Sequence, residues 1–319
     1  WTTFATTRSA RPSPLANRMS AGALLVALCF AVAPLVLGFG FTGAIWAVVA
    51  VVLISALAVH GRTRDQHYTG QAEYETIEPK LRTDLLDVQF DLFEHKDFAV
   101  VILINGIDGA GRGETVNLLN EWMDPRHIEV HAFDRPTGEE GERPPMWRFW
   151  RALPPKGKIG VLFGNWYVDP IGERAGGRLK KAPLDQRLSE LNRFEAMLAA
   201  EGVLLVKFWF HLSRAGQKKR LKALESSPAT RWRVQQADWD FYEQYDRYRE
   251  VAEHVLRRTS TGVAPWVIVD GTDPQYRAVQ VGRTLLERLQ RRIEYVRKGF
   301  RPRQTAAPLV AAPDERNLL

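Results

Sequence analysis

Short apolar runs alternate with amphipathic segments over most of this chain. Phe98–Ile104 is an almost unbroken apolar run, as expected of a strand buried on both faces. Similar runs at Ile128–Phe133, Ile159–Phe163, Gly202–Leu212 and Trp266–Gly271 predict four further strands. Within Tyr74–Glu94, residues Ile77, Leu81, Leu85, Val88 and Leu92 recur every three or four positions, which is helical spacing. Helices are also predicted over Gly113–Trp122, Leu184–Ala200, Arg214–Leu224, Asp238–Thr259 and Gln275–Arg297, with a short aromatic one over Pro144–Leu153. Strands alternating with helices predict an α/β fold: a five-stranded parallel sheet covered by helices on both faces.

The first 60 residues follow a different pattern. Ala21 to Val59 contains no charged residue, which is too long for one membrane helix of about 20 residues. Two helices joined at Gly38–Gly43 fit better, and Arg8, Arg11, Arg18, Arg62 and Arg64 flank them. Positive charge on both flanks predicts a transmembrane hairpin with both ends in the cytoplasm, anchoring a cytoplasmic domain to the inner membrane. A cleaved signal peptide fits poorly, because a second apolar run follows at once. The alternative is an upstream extension foreign to the domain. The chain begins at Trp1 rather than Met, as a fragment or a processed product would. The predicted organisation is a polar leader over 1–20, the hairpin over 21–60, a folded domain over 66–298 and a Pro/Ala-rich linker over 299–319.

Charge narrows the partners. The 319 residues carry a formal charge of +7 and a pI near 9.6, which favours anionic ligands without distinguishing nucleic acid, nucleotide, polyphosphate and lipid. The single cysteine, Cys29, excludes a disulfide within the chain.

The chemistry concentrates after the first strand, in "NGIDGAGRGET". Gly106 and Gly111 have the spacing of the phosphate-binding loop G-x-x-x-x-G-K-[ST], but Arg112 stands at the lysine position and Gly113 at the hydroxyl position. A turn from a strand into a helix presents unpaired N–H groups and the positive end of the helix dipole. Gly106, Gly109, Gly111, Gly113 and Glu114 are therefore the candidate phosphate-binding set. Asp108 would repel phosphate unless Mg²⁺ lay between them, which makes it the candidate metal ligand and, with Arg112, the candidate catalytic pair. Arg135, Arg148 and Arg151 follow the second strand, where ligands of open α/β sheets bind. After the fourth strand, Ser213–Val234 holds Arg214, Lys218, Lys219, Arg220, Lys222, Arg231 and Arg233 against one acid, Glu225, which predicts a basic helical lid over a polyanion.

These segments together resemble the polyphosphate kinase 2 family: "GIDGAGRGET", "RPT" with "MWRFWRALPPKGKIGVLF", "NWYVDPIGERAGG", "SSPATRWRVQQADW" and "APWVIVDGTDPQYR" occur in family order over about residues 75–297. The resemblance implies a P-loop kinase fold that moves phosphoryl groups between inorganic polyphosphate and nucleotides such as AMP and ADP, with Mg²⁺ and without nucleic acid. It is closest to the N-terminal half of two-domain polyphosphate:AMP phosphotransferases, which implies a second kinase-like domain downstream and a homo-oligomer. The family's loop aspartate falls on Asp108, its loop lysine on Arg112, and its basic positions on Arg135, Arg151, Arg220, Arg231 and Arg233. The family's Asp-Arg-Ser-Trp-Tyr pattern is here Phe163-Gly164-Asn165-Trp166-Tyr167, so a second metal-anchoring carboxylate is missing. Asp169 is the nearest substitute. Three functions follow as expectations: a polyphosphate:AMP phosphotransferase with impaired chemistry in this domain, a non-catalytic polyphosphate-binding or scaffolding half of such an enzyme, or an ATP-dependent nucleotide kinase.

Overall fold

The computed structural model describes residues 70–136 and 138–299. The hairpin expected over 21–60, the leader and the linker lie outside them. Among the described residues no helix is long and apolar enough to cross a membrane.

The five predicted strands all form: β1 (Val100–Gly106), β2 (Ile128–Ala132), β3 (Ile159–Phe163), β4 (Leu204–His211) and β5 (Trp266–Asp270). They make one parallel sheet in the order β2-β3-β1-β4-β5. β1 is central and buried at every position, which is why its sequence is a continuous apolar run rather than an alternation.

The helices are α1 (Gly70–His95), α2 (Arg112–Trp122), α3 (Glu139–Glu142), α4 (Trp147–Arg151), α5 (Val168–Ala175), α6 (Lys181–Ala200), α7 (Arg214–Ser226), α8 (Gln236–Glu243), α9 (Tyr245–Thr259) and α10 (Pro274–Arg297), with a 3₁₀ turn at Arg231–Arg233. The long helix expected over Asp238–Thr259 is two helices, because the backbone leaves helical geometry at Gln244 (φ −87°, ψ 6°). The turn buries Tyr245, whose hydroxyl donates to Leu212 O at 2.9 Å. The aromatic helix is shorter than expected, and α5 has no counterpart among the sequence expectations.

Two helix starts carry side-chain caps. Ser213 Oγ accepts from Gly216 N–H at the start of α7, and Asp273 accepts from the N–H groups of Gln275 and Tyr276 ahead of Pro274 in α10. The start of α2 has no side-chain cap.

A buried polar cluster fixes the chain that follows β3. Lys207 of β4 and Glu195 of α6 are fully buried and paired at 2.7 Å. The ammonium also donates to Thr259 O (2.8 Å) and Tyr167 Oη (3.3 Å). Glu195 Oε1 accepts from the Tyr167 hydroxyl (2.7 Å) and Trp166 Nε1–H (3.1 Å). Burial pushes the Lys207 pKa down, and Glu195 only partly offsets it. Asn165, beside this cluster, accepts from Asn105 Nδ2–H at 2.8 Å and so joins the ends of β1 and β3.

Candidate phosphate-binding site

The loop expected from the glycine pattern lies between β1 and α2. Ile107 N–H donates to Phe210 O at 2.9 Å, holding the loop's start against the end of β4. A Cβ at Gly106 would lie 2.2 Å from that carbonyl, so only glycine permits the approach. Gly111 stands at the α2 N-cap in the left-handed region (φ 86°, ψ 24°). The N–H groups of Gly109, Gly111, Arg112 and Gly113 have no acceptor among the described residues. With the dipole of α2 they form an anion cradle.

Three arginines from separate elements surround this cradle. Arg220 of α7 packs over Gly109, where an added Cβ would meet its Cγ at 3.4 Å. Its Nη2 donates to Glu114 Oε1 at 2.7 Å. Arg233, on the 3₁₀ turn, approaches the same oxygen at 3.7 Å. Arg277 of α10 lies flat against Gly111: a Cβ there would fall 2.1 Å from its Cζ. Arg277 Nη1–H donates to Gly271 O at 3.3 Å. Burial lowers the Arg277 pKa, and Glu114 works in the opposite sense.

Glu114, expected among the phosphate-binding residues, uses its carboxylate to hold the lid. Burial pushes its pKa up, but its own backbone N–H, Arg220 and Arg277 outweigh burial and leave it below the usual range. Its place on the first turn of α2 also suits the helix dipole.

Asp108 in the loop and Arg112 at the first position of α2 pair directly. The Arg112 guanidinium also lies over the Phe163 ring, 5.6 Å from its centroid. The two departures from the family pattern, arginine at the lysine position and phenylalanine at the carboxylate position, are therefore in contact. Burial lowers the Arg112 pKa, partly opposed by Tyr248. This donor set does not fit a divalent ion. The Asp108 carboxylate already has a cation, Phe163 offers no ligand, and no group of three His, Cys, Asp or Glu residues forms a metal cluster among the described residues. Asp169 lies in the first turn of α5, in a separate cavity.

That cavity, of about 600 Å³, opens beyond β2 and β3 and is lined by Phe133, Arg135, Arg148, Phe149, Asn165 and Arg178, among others. Arg135 therefore belongs to this cavity rather than to the loop. Arg148 is buried between Phe133 and Phe149 (4.9 and 5.2 Å) and donates to Asp134 O at 2.5 Å. Arg151 is exposed and stacks on Trp147 at 4.8 Å, and Arg231 is exposed on the 3₁₀ turn. Neither makes a contact to the loop. The structure thus gathers Gly106, Asp108, Gly109, Gly111, Arg112, Gly113, Glu114, Arg220 and Arg233 at one place. Arg277 joins them without having been singled out in the sequence. Its signal was the Asp273-Pro274 helix start directly after β5, which turns the first turn of α10 toward the loop.

Known proteins share this architecture. A crystal structure of a polyphosphate kinase 2 from Pseudomonas aeruginosa PA01 is 51% identical, with TM-score 0.62, covering 70% of this chain and 44% of that one. A polyphosphate kinase 2 structure from Arthrobacter aurescens TC1 is 28% identical, with TM-score 0.67, over 69% of this chain and 79% of that one. Among curated proteins, the polyphosphate:AMP phosphotransferases of P. aeruginosa and Pseudomonas syringae pv. tomato are 53% and 47% identical over 253 residues, 79% of this chain. The chain spans about half the length of these two relatives, 51% in each case. The family model described as Polyphosphate kinase 2 (PPK2) matches residues 68–297, a stretch that holds the loop, the lid and every strand between them, and the chain therefore belongs to that family.

Proposed function

We propose that this chain is one half of a polyphosphate:AMP phosphotransferase, and that its loop and lid bind inorganic polyphosphate. The observation that carries this is the convergence of Arg220, Arg233 and Arg277 on a loop in which the N–H groups of Gly109, Gly111, Arg112 and Gly113 have no acceptor among the described residues. Fixed donors and cations of this kind are what phosphoryl transfer requires, since its catalysis is mostly positioning and stabilisation of spread negative charge. In the reaction, the terminal P–O–P bond of polyphosphate breaks and a phosphate oxygen of AMP takes the phosphoryl group, giving ADP and a chain one unit shorter. The cavity lined by Arg135, Arg148 and Arg178 is the acceptor site in this reading. Its volume suits a mononucleotide, and its arginines and phenylalanines suit a phosphate and a base.

A second reading is favoured by one observation. The Asp108–Arg112 pair and the Phe163 ring remove the carboxylates that would anchor a metal, so this half binds polyphosphate while a second, downstream domain performs the transfer. A homo-oligomer and a membrane anchor at residues 21–60 complete the proposal.

The test is to incubate the chain with AMP, polyphosphate and Mg²⁺, and to measure polyphosphate binding by fluorescence anisotropy in parallel. Binding that weakens steeply with salt and falls about 10-fold or more in Arg220→Ala supports the proposal, as loss of a charge-assisted contact of about 1.5–3 kcal/mol requires. ADP formation lost in Arg220→Ala assigns turnover to this half; binding without turnover assigns it to the other. Absence of polyphosphate binding, or turnover only with ATP, refutes it.

A further inference from the structure

The loop contains two carboxylates, Asp108 and Glu114, and each is matched by arginine: Asp108 by Arg112, Glu114 by Arg220 and Arg233. Arg277 adds a fourth guanidinium, against Gly111. Four cationic side chains thus face two anionic ones, and the amide cradle adds further positive potential. The loop is ready for a polyanion without any added ion. We infer that Arg112 is a built-in substitute for a divalent cation, so that polyphosphate binds at this loop as the metal-free polyanion.

Three features support this assignment. Arg112 is held on the Asp108 carboxylate, and the other loop carboxylate, Glu114, is held by Arg220 and Arg233, so neither is free to draw a metal to the phosphates. Its guanidinium has a matched surface, the Phe163 ring at 5.6 Å, and an aromatic face favours a planar cation while offering nothing to a hydrated ion. The two side chains are 23% and 31% exposed, so the pair is partly shielded from competing water and salt. A divalent ion would have to displace Arg112 from Asp108 and would then have Asp108 as its only carboxylate from this pair, because Phe163 cannot replace the lost oxygens.

The inference rests on the polyphosphate-binding reading, and two measurements separate their failures. The first is Mn²⁺ binding to the full chain by electron paramagnetic resonance, without polyphosphate. The wild type is expected to show no Mn²⁺ site that Asp108→Asn removes. The double variant Arg112→Gln/Phe163→Asp, which frees Asp108 of its internal cation and adds a second carboxylate, is expected to gain one. An Asp108-dependent Mn²⁺ site in the wild type overturns the inference. A double variant that melts cooperatively but gains no site also overturns it. The second measurement is polyphosphate binding at fixed ionic strength with chelator or with millimolar Mg²⁺. Chelator should leave wild-type affinity intact, and Mg²⁺ should weaken it, because the free ion competes for phosphate oxygens. Tightening by Mg²⁺ of about threefold or more overturns the metal-free assignment. If polyphosphate binds under neither condition, the substrate reading fails, while the Mn²⁺ result still decides the role of Arg112.

Discussion

Replacing Lys207 by methionine tests how the sheet supports the loop after β3. The ammonium is fully buried and its three protons reach Glu195 Oε2, Thr259 O and Tyr167 Oη at 2.7, 2.8 and 3.3 Å. Methionine keeps the length and removes the charge. Glu195 Oε1 then still accepts from Tyr167 and Trp166, but Oε2 loses its donor in a site with no solvent access. Leaving one member of a buried pair uncompensated costs about 3–5 kcal/mol. The variant is therefore expected to lose about 3–5 kcal/mol. Denaturant titration followed by tryptophan fluorescence measures this, and for a domain of this size the loss corresponds to a melting shift of roughly 6–20 °C. The companion Lys207→Met/Glu195→Gln, which keeps an acceptor for Tyr167 and Trp166, should recover most of the loss. A loss below about 1 kcal/mol, or a companion variant no more stable than the single one, would show that the cluster is not electrostatically committed in this way.

Gly111→Ala places a Cβ 2.1 Å from the Arg277 guanidinium carbon and requires φ near 86° from an L-residue. The backbone term alone is about 1–2 kcal/mol, so polyphosphate affinity by anisotropy and the melting temperature should fall together. Gly113→Ala meets nothing within 4 Å inside the first turn of α2 and should raise stability by roughly 0.5–1 kcal/mol in the same denaturation assay. The Glu114 carboxyl is depressed in the folded protein, so its tie to Arg220 is fully present above the ordinary glutamate range and is lost as pH falls through the lowered folded value. Protease nicking of the α7–α8 segment should accordingly be constant from about pH 5 to 8 and rise only below about pH 4, with Glu114→Gln showing the raised rate at every pH.

Periodicity and burial were legible in the sequence. The unbroken apolar run of β1 and the shorter runs of the other strands could be read because a central parallel strand has no polar face. Helix limits were less so. Nothing local in Asp238–Thr259 marks the break at Gln244, which exists to let Tyr245 reach Leu212 O across the fold. The glycine spacing identified the loop, because amide cradles need the same backbone in any sequence context. The sequence could also name Arg112 and Phe163 as departures from the family pattern, 51 positions apart in the chain. That the two touch was decided by strand order alone, since β3 lies beside β1 and brings Phe163 under the helix start that carries Arg112. The same holds for Arg277, an unremarked arginine until β5 and the α10 cap bring it against Gly111, and for Arg135 and Arg151, which local sequence grouped with the loop and the fold places elsewhere. Local pattern fixes which backbone can form. Which charges meet depends on contacts between residues distant in sequence, and only the packed sheet supplies those.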